Sequence, residues 1–165
     1  MEGARAAVEG DLDALEALVR RATTEARAQR GGPVWSQREA HPEPVRAGLQ
    51  AAISGADPDA RLVVGTVDDT VVGYGWARLE TLHDGNRLLA ISDLFTEPEA
   101  RAIGVGEAMM GWLEAEARAA GAIGIDALAL PGDRHTKNFF ETFGLTARAI
   151  VVHRALGPAP GEPAL

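Results

Sequence analysis

The sequence predicts a mixed α/β domain: one mixed sheet of six to seven strands, with about four helices distributed over both faces. Three observations carry this. Apolar periodicity changes along the chain in the order strand, helix, helix, three strands, helix, strand, helix, strand. The strand–helix–strand unit around residues 87–130 has the length of a right-handed parallel crossover. The run from Leu94 to Gly106 takes an apolar strand through a short loop into a helix start flanked by glycines. At 165 residues the chain fits one domain with a substantial core, here set at 1–157, with 158–165 as a disordered Pro/Gly-rich tail.

Arg5 to Val8 reads as a short first strand, and Asp11 as the N-cap of a helix over about 12–29 carrying Leu15, Leu18, Val19, Ala22 and Ala26 on one side. Gly31-Gly32-Pro33 stops it, and Pro33 to Pro44 reads as irregular. Pro44 suits the first position of a second helix with Val45, Leu49, Ala52 and Ile53 inward and Gly55 at its end. Arg61–Val67, the Asp68-Asp69 turn and Thr70–Leu79 form a hairpin; Gly73 and Gly75 in its second strand point to a bulge or a close neighbour. His83–Asn86 is the next turn, and Arg87–Thr96 the third antiparallel strand. After Gly104 comes a helix with Val105, Ala108, Met109, Trp112 and Leu113 on one side, ended by Gly121. Ala122–Leu130 is a strand parallel to 87–96. Asp133 opens a last helix bearing Phe139, Phe140 and Phe143, with Gly144 as its C′ residue, and Leu145–Leu156 reads as a closing strand.

Composition narrows the function. With no Cys, the chain has no disulfide, thiolate metal site or Cys nucleophile. No spacing of His, Asp and Glu suggests a metal, and no Ser sits in a strand-to-helix elbow. The net charge of −8 argues against nucleic acid and anionic membranes as partners and is compatible with a cationic substrate. Met1–Gly10 has no basic segment followed by an apolar run, so no leader is expected and a cytoplasmic location is the default.

The 94–106 stretch carries the chemistry. A helix start offers unpaired N–H groups and the positive end of the dipole, and glycines let phosphate oxygens approach them. Leu94-Phe95-Thr96, Pro98 and then Arg101, Gly104 and Gly106 together resemble the cofactor motif of the GNAT superfamily of acyl-CoA-dependent N-acetyltransferases. Asn138-Phe139-Phe140-Glu141-Thr142-Phe143-Gly144-Leu145 is similar, in part, to its second motif. The resemblance covers residues 4–156 and implies acetyl-CoA as co-substrate, a crevice between splayed parallel strands and no metal.

Carried over, it implies that Leu94, Phe95 and Thr96 meet the acetyl and pantetheine portion through their backbone. The Leu94 N–H becomes a donor to the thioester oxygen. Arg101, Ala102, Ile103, Gly104, Val105, Gly106 and Glu107 cradle the pyrophosphate, Glu107 with its side chain turned away. Two positions depart from the pattern. Asp133 stands where the family has a cofactor-contacting Asn, and an N-cap role suits it better. Phe140 replaces the Tyr that often protonates the departing thiolate, and packs against the cofactor or in the core. A thiol of pKa about 8.5 leaves tolerably well unassisted.

The amine is the harder partner, because an alkylamine of pKa about 10.4 is only about 0.04% neutral at pH 7. Ser92-Asp93-Leu94-Phe95 resembles the Glu-Asp-Leu-Tyr pattern of polyamine-type members. Asp93 is the leading candidate for base or amine anchor, its alternative role being structural, and Ser92 could hold a water. Trp35, His41, Tyr74 and Trp76 are candidates for the substrate wall, with packing as the competing role. Asp126 is expected to be structural, and His83 and His135 solvated. The implied reaction is direct acetyl transfer to the amine of a small molecule or peptide in a ternary complex. The competing reading is an acyl-CoA-binding module without catalysis. Unpaired edge strands near the C-terminus favour a homodimer.

Overall fold

The computed structural model describes residues 1–158. Five strands, β1 (Glu2–Ala6), β2 (Ala60–Val67), β3 (Thr70–Thr81), β4 (Arg87–Thr96) and β5 (Ala122–Ala127), lie side by side in sequence order. The first four are antiparallel and β4–β5 is parallel. Five α-helices cover the sheet: α1 (Leu12–Arg27), α2 (Gly32–Arg38), α3 (Val45–Ser54), α4 (Val105–Ala119) and α5 (Arg134–Thr142). Two 3₁₀ turns, Glu9–Asp11 and Pro98–Ala100, precede α1 and the α4 loop. No helix among the described residues is long and apolar enough to cross a membrane.

Strand alternation sorts the apolar side chains onto two faces. Leu15, Leu18 and Val19 of α1 and Leu49 of α3 pack with Leu62, Val64, Tyr74, Trp76 and Phe95 on one. Met109, Met110 and Leu113 of α4 and Phe140 of α5 pack with Val63, Ala77, Leu79, Leu89 and Ile91 on the other. Gly73 and Gly75 are there for close approach: a Cβ would fall 2.7 Å from the Phe95 carbonyl oxygen at the first and 2.8 Å from Val63 Cγ1 at the second. The Asp68-Asp69 turn has φ of 45° and 65°, the left-handed pair that matches strand twist in a two-residue hairpin.

Several expectations are corrected. The sheet has five strands rather than six or seven, and the helices number five rather than four. The extra helix is α2, inside the segment read as irregular. Gly31, at φ 86°, is its N-cap, and Pro33 occupies its first turn, where a missing N–H costs nothing. The first strand lies at Glu2–Ala6, ahead of the expected 5–8. Asp11 does not cap α1 with its side chain. Its carboxylate instead accepts from the Arg5 guanidinium (2.7 and 3.0 Å) and the Val8 N–H (2.9 Å). Leu145–Leu156 forms no strand, although its apolar run is intact: Ile150, Val151 and Val152 are 82%, 80% and 89% exposed. The tail expected to be disordered lies, from residue 159, outside the described residues.

Candidate active site

The site begins with one extra residue in β4. Trp76 faces Asp93 and Ala77 faces Ile91 across the β3–β4 ladder, so Ser92 is a bulge. A bulge bends its strand and inverts the alternation beyond it. Before it, the Ile91 carbonyl faces β5 and accepts from the Leu128 N–H at 3.3 Å, the last bond between the two strands. After it, the Glu97 N–H faces β3 and bonds the Val72 carbonyl at 2.9 Å. By alternation Asp93 and Phe95 also turn their backbone groups to β3, while Leu94 and Thr96 turn theirs to the side β5 has left. The parallel strands therefore separate beyond Ile91, and the Leu94 amide lines the opening.

The loop that follows ends in a concentration of free donors. Pro98–Ala100 makes a 3₁₀ turn, Ala102 has φ 65°, and Gly104, at φ 94°, is the N-cap of α4. The first helical bond is Ala108 N–H to the Gly104 carbonyl, 3.0 Å. Among the described residues, none of the N–H groups from Ala102 to Glu107 has an acceptor. The Glu107 side chain is exposed and has no partner among the described residues. A Cβ on Gly106 would fall 3.3 Å from the Phe139 ring, so α5 packs against the loop at a place where only hydrogen fits comfortably.

Arg101 is already engaged. Its Nε donates to the Thr96 carbonyl (2.9 Å), its terminal nitrogen to both Glu25 oxygens (3.0 and 3.1 Å), and its guanidinium lies 5.6 Å from the Phe95 ring centre. An anion in the loop competes with Glu25 for this group. Asp133 caps α5, accepting from the Thr136 N–H (3.1 Å) and hydroxyl (2.6 Å), so both its oxygens are committed to the helix. Phe140 is 5% exposed in the core under α4, and Phe139 borders the loop.

On the α1/α3 face the bulge brings together five of the residues singled out in sequence. His41 Nε2 lies 2.7 Å from Asp93 Oδ1 and 3.2 Å from Ser92 Oγ. The Tyr74 hydroxyl donates to Asp93 Oδ2 at 2.6 Å. Ser92 Oγ lies 2.6 Å from Asp93 Oδ1 and 3.1 Å from the Trp76 carbonyl. The His41 ring stacks on Trp76 with centroids 3.6 Å apart and planes 11° from parallel. Burial pushes the Asp93 carboxyl up, but the bond and charge of His41 and the hydroxyls of Ser92 and Tyr74 outweigh it and hold the group below the usual carboxylate range. Burial, and then the Asp93 charge, push the Tyr74 phenol well above its ordinary value.

Tyr74 and Trp76 are core residues, 0% and 7% exposed, so they back the site rather than line it. Trp35, on α2, is half-buried and keeps an open face. It does not join the His41 cluster. Asp126 pairs with Arg148, and His83 and His135 are exposed, as expected of them. Sequence reading missed the His41–Asp93 pairing and the Glu25–Arg101 pairing. The partners are 52 and 76 residues apart, and no local pattern signals either.

Comparison with known proteins adds the family. No curated protein matches the sequence. Among solved structures, a transcriptional regulator from Bacillus halodurans C-125 is 19% identical, with a TM-score of 0.71 over 94% of this chain and 100% of that one. AAC(6')-Iy, in complex with the bisubstrate analogue CoA-S-monomethyl-acetylneamine, is 13% identical, with a TM-score of 0.73 over 94% and 97%. The aminoglycoside acetyltransferase meta-AAC0020 from an uncultured soil metagenomic sample, in complex with sisomicin, is 18% identical, with a TM-score of 0.68 over 96% and 97%. At such identities these similarities concern the fold. The model of the acetyltransferase (GNAT) family matches residues 22–145, and the chain belongs to that family.

Proposed function

We propose that this protein transfers an acetyl group from acetyl-CoA to the primary amine of a small molecule or peptide, by direct attack in a ternary complex. The observation that carries the reading is the continuity of the crevice. The bulge at Ser92 frees the Leu94 amide, and the same strand leads into a loop where six successive N–H groups, Ala102 to Glu107, have no acceptor. The donor set fits the co-substrate. N–H groups at a helix start suit a pyrophosphate, and a strand edge suits the extended, amide-bearing pantetheine. In this reading Leu94 and Thr96 meet the pantetheine through their backbone, whereas Phe95, expected to do the same, turns its backbone to β3 and its ring into the core. The Leu94 N–H holds the thioester oxygen as charge develops on it. Trp35 and His41 form the acceptor side.

A binding module without catalysis is the second reading. What favours it is the packing of Phe140, which leaves no phenol at the family's usual acid position. The two readings part on one measurement. Acetyl-CoA should raise the melting temperature under both, but only the enzyme releases CoA thiol with ethylamine, spermidine or neamine. Gly106→Asp, which sets a carboxylate in the loop and a Cβ against Phe139, should abolish the acetyl-CoA shift. Binding retained within about threefold would place the phosphates elsewhere. We also infer a homodimer, built on the exposed segment 145–156.

A further inference from the structure

We infer that His41 accepts the proton of the attacking amine and that Asp93 is its positioning residue, an inference that rests on the acetyl transfer proposed above. Sequence pattern favours Asp93 itself, but the geometry does not. Three donors fill the two Asp93 oxygens, and the side chain is 11% exposed. Both oxygens of so enclosed a carboxylate are engaged, and little of its surface is left to meet a substrate. It acts through the ring it holds.

The ring is oriented by three contacts. In the neutral form of the ring, which a base requires, Asp93 Oδ1 can only accept, so the 2.7 Å contact places the hydrogen on Nε2 and leaves the Nδ1 lone pair unused. Trp76 fixes the ring plane by stacking. Pro42 restricts the His41 backbone to extended conformations. Among the described residues every buried side-chain nitrogen or oxygen has a hydrogen-bond partner, and His41 Nδ1 has none, so Nδ1 reaches solvent. The assembly stands at the bulge, with Asp93 adjacent in the chain to the Leu94 amide. Base and oxyanion donor are thus set by the same irregularity.

The step balances without a separate acid. The Nδ1 lone pair takes a proton from the bound ammonium, which frees the amine lone pair. That pair forms the C–N bond to the thioester carbonyl carbon. The C–S bond breaks, and sulfur leaves with its electron pair as a thiolate. The second proton of the N-protonated amide then passes to the thiolate, and the imidazolium returns its proton to water. The phenol that Phe140 lacks is not required. Tyr74 cannot supply it, because its hydroxyl is buried and spent on Asp93.

The test is steady-state CoA release from acetyl-CoA with ethylamine, spermidine and neamine as acceptors. His41→Gln keeps a side-chain amide able to meet Asp93 but has no basic nitrogen. It should lose about a hundredfold or more in kcat, with the KM for acetyl-CoA within about threefold of wild type. The charged or titratable groups facing the ring are Asp93 and Tyr74. On its own segment Glu39 is paired to Arg38 and Glu43 to Arg20. Asp93→Asn should lose at least about tenfold in kcat while its acetyl-CoA melting shift is kept. His41→Gln turnover within about threefold of wild type, or an equal loss of acetyl-CoA binding, overturns the assignment. A wild-type protein that binds acetyl-CoA and acetylates none of the amines would instead sink the acetyl-transfer reading, and this inference with it.

Discussion

Asp93 and Tyr74 make a buried pair whose two titrations run in opposite directions. The Asp93 carboxyl is held below its ordinary value, so its contribution to stability is present above the unfolded pKa of about 3.9 and is lost as pH falls through the folded value. The Tyr74 phenol is raised, so its contribution is present below the unfolded pKa of about 10 and is lost as pH rises through the folded value. Denaturant melts across pH should show both losses. Tyr74→Phe should abolish the alkaline one and, by leaving Asp93 Oδ2 without its donor, cost about 1.5–3 kcal/mol at neutral pH. An unchanged midpoint would mean that water replaces the hydroxyl. Asp93 was legible in the sequence through the resemblance of Ser92-Asp93-Leu94-Phe95 to the Glu-Asp-Leu-Tyr pattern. Its face was not, because the face depends on whether Ser92 is in register, and a bulge leaves no mark in the pattern of side chains.

At the level of elements, α1 and the α4 loop are coupled through Glu25 and Arg101. The pair is exposed, 43% and 34%, so it contributes at most about 1 kcal/mol. Its effect on binding is the more visible one, since a phosphate in the loop would compete with Glu25 for the Arg101 guanidinium. Glu25→Gln should therefore tighten acetyl-CoA binding by up to about fivefold, read by titration calorimetry at low salt, and the gain should shrink as salt is added. Weaker binding in the variant would show that Glu25 holds Arg101 in its productive position. The passage from strand to helix was legible, since Pro98 and Gly104 mark the turn and the helix start that the structure has. The helix α2 was not. Gly31-Gly32-Pro33 ends one helix and begins another, and the stop signal and the start signal use the same residues. Asp133, by contrast, both reads as an N-cap and is one, because a cap needs only its own helix. Asp11 reads the same way but has Arg5 within reach from β1, and a charged partner wins over two helix N–H groups.

For the molecule as a whole, the segment 145–156 has the composition of a strand and no strand to join. Among the described residues, 146–157 make no backbone hydrogen bond, and β5 pairs with β4 alone, so its outer edge is open. Exposed apolar residues lie on both sides of the gap, Ile123 and Leu128 on β5 and its exit, and Ile150, Val151, Val152 and Leu156 on the segment. A second copy resolves both at once if each segment adds to the other's β5 edge, a self-complementary contact of two-fold symmetry. Alternation would turn Ile150 and Val152 inward. Four such side chains in the dimer gain about 6–12 kcal/mol on burial, against an association cost of about 4–15 kcal/mol. The sum, with backbone pairing added, describes a dimer that a single break can undo. Val151→Pro removes one N–H and the extended pairing around it, at a residue that is 80% exposed and makes no backbone hydrogen bond in its own protomer. Light scattering after gel filtration should find wild type as a dimer and the variant as a monomer with the acetyl-CoA melting shift retained. A wild-type protein that remains monomeric on concentration would leave the segment without this role, and a variant that remains dimeric would move the interface to another face.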